Sequence, residues 1–178
     1  MIKFSKIVFL LLFIGFYANA QSNENKWVVG AGFGVAKLRS VDVDFEGDHI
    51  NFQIPKIHAT RYFFYGLSLD TSIEISSAYL SADGSIRYDF GTSNKKFVPY
   101  LLAGSSIVKV PSTLALTLNV GGGGTFWLSE NYGLNLQLTY KNSTSKSLAL
   151  RSHNYFSLGI VYSLEPRVMI SRLWDAKH

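Results

Sequence analysis

Residues 132–141 read Tyr-Gly-Leu-Asn-Leu-Gln-Leu-Thr-Tyr-Lys. In an extended chain Tyr132, Leu134, Leu136, Leu138 and Tyr140 fall on one side and Gly133, Asn135, Gln137, Thr139 and Lys141 on the other. A two-residue period of this kind specifies a β-strand with one apolar and one polar face, because a helix would scatter the five apolar groups around its circumference. The split recurs along the chain. Residues 66–76 set Leu67, Leu69, Ile73 and Ile75 against Ser68, Asp70, Ser72, Glu74 and Ser76. Residues 81–90 set Ile86, Tyr88 and Phe90 against Ser81, Asp83, Ser85, Arg87 and Asp89. Residues 27–38 set Trp27, Val29, Phe33 and Val35 against Gly30, Gly32 and Gly34, and residues 155–164 set Phe156, Leu158, Ile160, Tyr162 and Leu164 against Tyr155, Ser157, Gly159, Val161 and Ser163. Residues 98–110 and 114–128 continue the pattern with blurring at Gly104 and across Gly121 to Gly124. Adding a less regular segment at 54–62 gives eight strands, an even number that permits an antiparallel up-and-down sheet to close, with turn-rich pieces between them.

The first twenty residues stand apart. Lys3 and Lys6 precede an apolar run from Ile7 to Phe16, and Ala18-Asn19-Ala20 follows. That order is a secretory signal peptide with cleavage expected after Ala20, since the run falls short of the roughly 20 residues a membrane-spanning helix needs. Residues 21–164 then form the single domain and 165–178 a short C-terminal tail. Without Lys3 and Lys6 the 17 Lys+Arg fall to 15 against 12 Asp+Glu, so the exported chain carries only +3 and makes no case for nucleic acid. The chain has no cysteine, which excludes disulfides, thiolate metal sites and a lipidated N-terminal cysteine.

Which face meets solvent follows from composition. Charged residues make up 16% of the chain, where a water-exposed domain carries about a quarter, and aromatics make up 15%. The apolar faces are bulky and uncharged; the opposite faces hold Gly, Ser, Thr, Asn and charges of both signs. A sheet crossing lipid turns its apolar face outward and its polar face into the lumen, and closure satisfies every backbone N–H and C=O where no water is available. The sequence therefore predicts an all-β fold, an eight-stranded antiparallel up-and-down transmembrane β-barrel. Asp70, Glu74, Arg87, Asp89, Lys109 and Lys141 are the expected lumen polar network, paired because mixed charge away from water demands partners. An aromatic girdle at one rim is expected from Trp27, Tyr62, Phe90, Tyr100, Trp127 and Tyr132.

The stretch Ser157-x-Gly159-x-x-Tyr162-x-Leu164 resembles the assembly signal in the final strand of bacterial outer-membrane proteins. Gly84-Ser85-Ile86-Arg87-Tyr88-Asp89-Phe90-Gly91, Val98-Pro99-Tyr100-Leu101-Leu102-Ala103-Gly104, Phe126-Trp127-Leu128-Ser129-Glu130-Asn131-Tyr132-Gly133-Leu134 and Thr139-Tyr140-Lys141 are, in that order, similar to the barrel of the outer membrane protein A-like family. The resemblance covers residues 27–164. It implies a porin-like or structural barrel of the bacterial outer membrane with periplasmic termini and variable surface loops, in contact with outer-membrane lipid and with the barrel assembly machinery. Many relatives add a peptidoglycan-binding domain. Here only 165–178 follow the barrel, so cell-wall tethering is not carried over, and the tail with Arg167, Arg172 and Lys177 is expected to be a periplasmic stub.

No catalytic residue, cofactor or metal site is expected. His49, His58, His153 and His178 form no metal-binding spacing. His153 and Ser157 evoke the His/Ser pair of outer-membrane lipid A deacylases, but four residues along a strand separate them by about 13 Å, beyond proton transfer. Gly30-x-Gly32-x-Gly34 lies within an alternating strand and opens no helix, so it is no dinucleotide loop. Asp42, Asp44, Glu46 and Asp48 are expected to form a solvated acidic loop rather than a cation site. The expected function is a non-enzymatic, monomeric envelope barrel presenting loops to an unidentified surface partner. The alternative is a small channel or a binding barrel for apolar molecules.

Overall fold

The computed structural model describes residues 27–39, 48–76, 79–90, 95–110, 113–144 and 152–167. The expected signal peptide, the acidic residues Asp42, Asp44 and Glu46, the side chain of Asp48, and Arg172 and Lys177 of the tail lie outside the described residues. The alternating segments form eight strands: β1 (Trp27–Arg39), β2 (Asp48–Phe64), β3 (Leu67–Ile75), β4 (Leu80–Asp89), β5 (Phe97–Val110), β6 (Thr113–Trp127), β7 (Tyr132–Ser143) and β8 (His153–Ser163). Each pairs antiparallel with the next, and β1 pairs with β8 from Val28↔Ser163 to Lys37↔Asn154, so the sheet is a closed barrel without free edges. One end gathers the start of β1 and the finish of β8; we call it the terminal end, and the opposite one the loop end.

β2 is longer than its sequence pattern suggested. Gly32 pairs with Lys56 and Gly34 with Gln53, which leaves Ile54 and Pro55 together opposite Phe33. This bulge shifts the alternation by one, and it accommodates a proline that has no N–H to give the ladder. At the terminal end β2 turns into β3 through two residues of positive φ, Tyr65 at 47° and Gly66 at 81°, between the paired Phe64 and Leu67. That is the tight hairpin whose twist matches the flanking strands.

The interior is inverted relative to a soluble domain. Among the described residues, twenty buried ones are polar or charged against ten that are hydrophobic, while Leu134, Leu136, Leu138, Ile86, Leu101 and Ile107 lie exposed on the outside. Small residues let the wall close tightly: a Cβ on Gly32 would sit 2.5 Å from Gly159 Cα across the β1–β8 seam. Two apolar clusters stand at the ends of the lumen. Tyr79, Val108 and Ala115 pack together at the loop end. Val98, Trp127 and Val161, with Val28 against them, pack at the terminal end.

Candidate functional site in the barrel lumen

Between the two apolar clusters the inward positions of seven strands, β2 to β8, build a polar network in two tiers, while β1 lines it with glycines and Ala36. In the tier nearer the loop end, β7 brings Lys141 to the acidic groups of β3 and β4. Its Nζ donates to Glu74 Oε2 at 3.0 Å, to Asp83 Oδ2 at 2.8 Å and to Ser81 Oγ at 3.2 Å, with Lys141 and Glu74 essentially inaccessible to solvent. Lys56 of β2, in register with Glu74, lies 3.5 Å from Glu74 Oε1 and donates to Ser157 Oγ of β8 at 3.0 Å. Both ammonium groups sit over the ring of Tyr155, at 5.1 Å for Lys56 and 4.7 Å for Lys141. The tier is balanced, with two lysines against two carboxylates. Tyr155 has room for its ring because it lies directly over Gly34, where any Cβ would collide with it.

The tier nearer the terminal end centres on Arg87 of β4. Its Nε and an Nη donate to Asp89 Oδ1 at 2.8 and 2.6 Å, the Nη also reaches Thr125 Oγ1 at 3.3 Å, and the guanidinium stacks 3.7 Å from the centroid of Tyr100. Tyr100 OH donates to Asn135 Oδ1 at 3.1 Å, and Asn135 Nδ2 donates to Thr125 Oγ1 at 3.0 Å, which closes a ring of contacts over β4, β5, β6 and β7. Asp70 accepts from Thr60 Oγ1 at 2.8 Å, and Asp89 accepts from Ser68 Oγ at 3.1 Å. Such an arrangement holds charges in place and fills space; each ion has an opposite charge or a hydroxyl within bonding distance, as burial requires.

Five of the six residues expected in the lumen, Asp70, Glu74, Arg87, Asp89 and Lys141, point inward. Lys109 does not. Val108 takes the inward position in the loop-end cluster, so Lys109, one residue on, is exposed on the outer face beside Leu80 and Leu114 of the neighbouring strands. The expected set also lacked Lys56 and Asp83, which complete the loop-end tier. Lys56 lies just past the bulge that disturbs the alternation of β2.

Of the expected girdle, Trp27, Phe90 and Tyr132 are exposed on the outer surface at the terminal end. Tyr100 and Trp127 are instead buried inside. Only one of the adjacent Phe126 and Trp127 can face outward, and Phe126 does. Tyr62 also shares the inward side of β2, and its hydroxyl accepts from Gly66 N at 3.1 Å, folding it under the hairpin. The outer aromatics at this end include Phe63, Phe64, Phe97 and Phe126 in their place.

In the final strand Ser157 faces the lumen, Gly159 packs at the β1 seam, Tyr162 lies outside with its ring 4.9 Å from that of Tyr132, and Leu164 is exposed just past the strand. Ser157 Oγ is engaged by Lys56, and His153 meets Tyr79 edge-on at 6.1 Å between ring centroids. Ser157 and His153 share the inward side of β8 four residues apart, about 13 Å along the strand and beyond proton transfer. Among the described residues no three His, Asp or Glu side chains are grouped to hold a metal ion.

No protein-family model and no curated protein sequence matches the chain. Solved structures do. Neisserial surface protein A is 20% identical with a TM-score of 0.59, over 78% of this chain and 97% of that one. The N-terminal β-barrel domain of OprF from Pseudomonas aeruginosa is 15% identical with a TM-score of 0.57, over 78% and 97%. The outer membrane protein OprG from Pseudomonas aeruginosa is 12% identical with a TM-score of 0.59, over 79% and 96%.

Proposed function

From the premise that this chain has the eight-stranded barrel fold of small outer-membrane proteins, we propose that it is a monomeric, non-enzymatic barrel of the bacterial outer membrane. Its strands cross the bilayer, its terminal end faces the periplasm, and its loop end faces outward to a surface partner. The observation that carries this reading is the inverted interior: Lys141, Glu74 and Asp83 are bonded to one another inside the cylinder while Leu134, Leu136 and Leu138 cover its outside. In water such a molecule would expose a continuous apolar belt and aggregate; in hydrocarbon the same belt is the favourable surface.

The lumen supports an envelope role rather than free permeation. Barrels of this strand number have interiors just wide enough for their own side chains, and here two charge tiers lie between two apolar clusters. The test is gel mobility of protein taken from an outer-membrane fraction. A closed barrel resists dodecyl sulfate until boiled and so migrates differently before and after heating. A mobility unaffected by heating, or recovery in the soluble fraction without detergent, overturns the assignment.

A further inference from the structure

The polypeptide beyond β8 does not leave the barrel directly. Ser163 is fixed to the β6–β7 turn by two bonds, its N to Asn131 O at 2.7 Å and Asn131 Nδ2 to its own carbonyl at 2.9 Å. Its hydroxyl donates to Glu165 O at 2.7 Å, bending the chain back. Arg167 N then donates to Glu130 O at 2.9 Å, so the segment crosses the start of β7, and the Arg167 guanidinium lies 4.2 Å from the ring centroid of Trp127. Trp127 is the largest member of the apolar cluster that closes this end, only 3% exposed. The Arg87 tier lies on the inner side of that cluster.

We propose that residues 164–167 form a strap that locks the terminal mouth of the barrel by holding Arg167 on the face of Trp127, and that releasing the strap admits water and small ions to the lumen. The physical reason lies in the two surfaces of the indole. Its inner side packs on Val98, Val161 and Val28, none of which bonds it directionally, whereas its outer side meets a cation whose attraction to the ring depends on stacking and on the backbone bonds that place it. Without the strap the ring is held by dispersion contacts alone at an open end, the kind of site from which local opening starts. Water entering there meets Arg87, Asp89 and Asn135, groups that accept hydration readily. The strap rests on the outer-membrane reading for its periplasmic side, although its geometry does not.

The experiment isolates Trp127 as the fluorophore. The chain has three tryptophans, so Trp27→Phe with Trp174→Phe leaves one. In refolded, vesicle-embedded protein that shows heat-modifiable mobility, quenching of Trp127 by acrylamide is measured for this parent and for Arg167→Glu, Arg167→Gln and Arg167→Lys. The strap predicts a severalfold rise in quenching for the Glu and Gln variants, a smaller one for Lys, and new small-ion conductance steps in planar bilayers for Glu and Gln. Arg167 sits outside the strands, and two variants guard against a folding failure of either. Equal quenching in parent, Glu and Gln variants overturns the strap. A rise in quenching with unchanged conductance overturns the claim that it admits ions. A parent without heat-modifiable mobility overturns the outer-membrane reading instead, a separate and recognisable failure.

Discussion

The strongest demand on the lumen network falls on Lys141. Its side chain is 1% exposed and its ammonium group is the shared partner of Glu74 and Asp83, with donor distances of 3.0 and 2.8 Å. Lys141→Met keeps most of the side-chain volume and removes the charge. Glu74, fully buried, then keeps the longer 3.5 Å contact to Lys56 as its one cation, and Asp83 keeps the hydroxyls of Ser81 and Ser72. Breaking a buried pair by removing one member costs about 3–5 kcal/mol, because the remaining charge stays buried. At ~1.4 kcal/mol per decade, the folding equilibrium should fall by roughly a hundredfold to several thousandfold. Removing the matching charge as well, in Lys141→Met with Glu74→Gln, leaves Lys56 against Asp83 and restores neutrality; about 1–3 kcal/mol should return. Urea unfolding from phosphatidylcholine vesicles, followed by tryptophan fluorescence, reads both. Wild-type stability in the single variant, or a double variant as weak as the two singles combined, refutes the idea that these ions depend on one another.

Other outcomes follow from the same interior. Arg87→Ala, which leaves Asp89 and Tyr100 without their cation, should lower the melting temperature clearly, whereas Lys95→Ala in the exposed β4–β5 turn should not; equal melting temperatures contradict the inward assignment of Arg87. Gly32→Val should prevent closure, since its side chain would meet the Leu158 carbonyl and Gly159 backbone, and the variant should lose heat-modifiable mobility. His153→Ala and Ser157→Ala should leave the acylation of lipid A in the host membrane unchanged by mass spectrometry; restored acyl chains in either variant would establish the deacylase chemistry argued against above. Leu136→Arg places a charge at mid-height on the outer face and should destabilise insertion by about 2–4 kcal/mol, whereas Gln137→Arg, one residue on, should be far milder.

The eight strands and their two faces were legible because the alternation is carried by strong contrasts, Leu against Asn, Ile against Asp. Legibility failed where both faces are apolar or the period breaks. In β5, Val98, Tyr100 and Leu102 face inward while Leu101 and Ile107 face outward, so composition there cannot distinguish the sides. Tyr100 looked like a rim residue for that reason, Trp127 did so because it stands beside Phe126 at the end of β6 where only one of the two can face outward, and Lys109 looked luminal because charge away from water demands a partner. The bulge at Ile54-Pro55 hid Lys56 by shifting the face on which later residues fall. Asp83 stood on the correct polar face, yet its partnership with Lys141, 58 residues away in sequence, depends on barrel closure. The Arg167–Trp127 contact was equally unreadable, since it needs the chain to fold back across β7.

The most direct test of the whole account asks which side chains touch lipid. In a protein whose native tryptophans are replaced by phenylalanine, a single tryptophan is placed at Leu136 or at Gln137, and the barrel is refolded into vesicles of phospholipid brominated along the acyl chain. Strong quenching at 136 with little at 137 is the predicted result. Comparable quenching at both, or a stronger effect at 137, would mean that the apolar faces do not point into the bilayer.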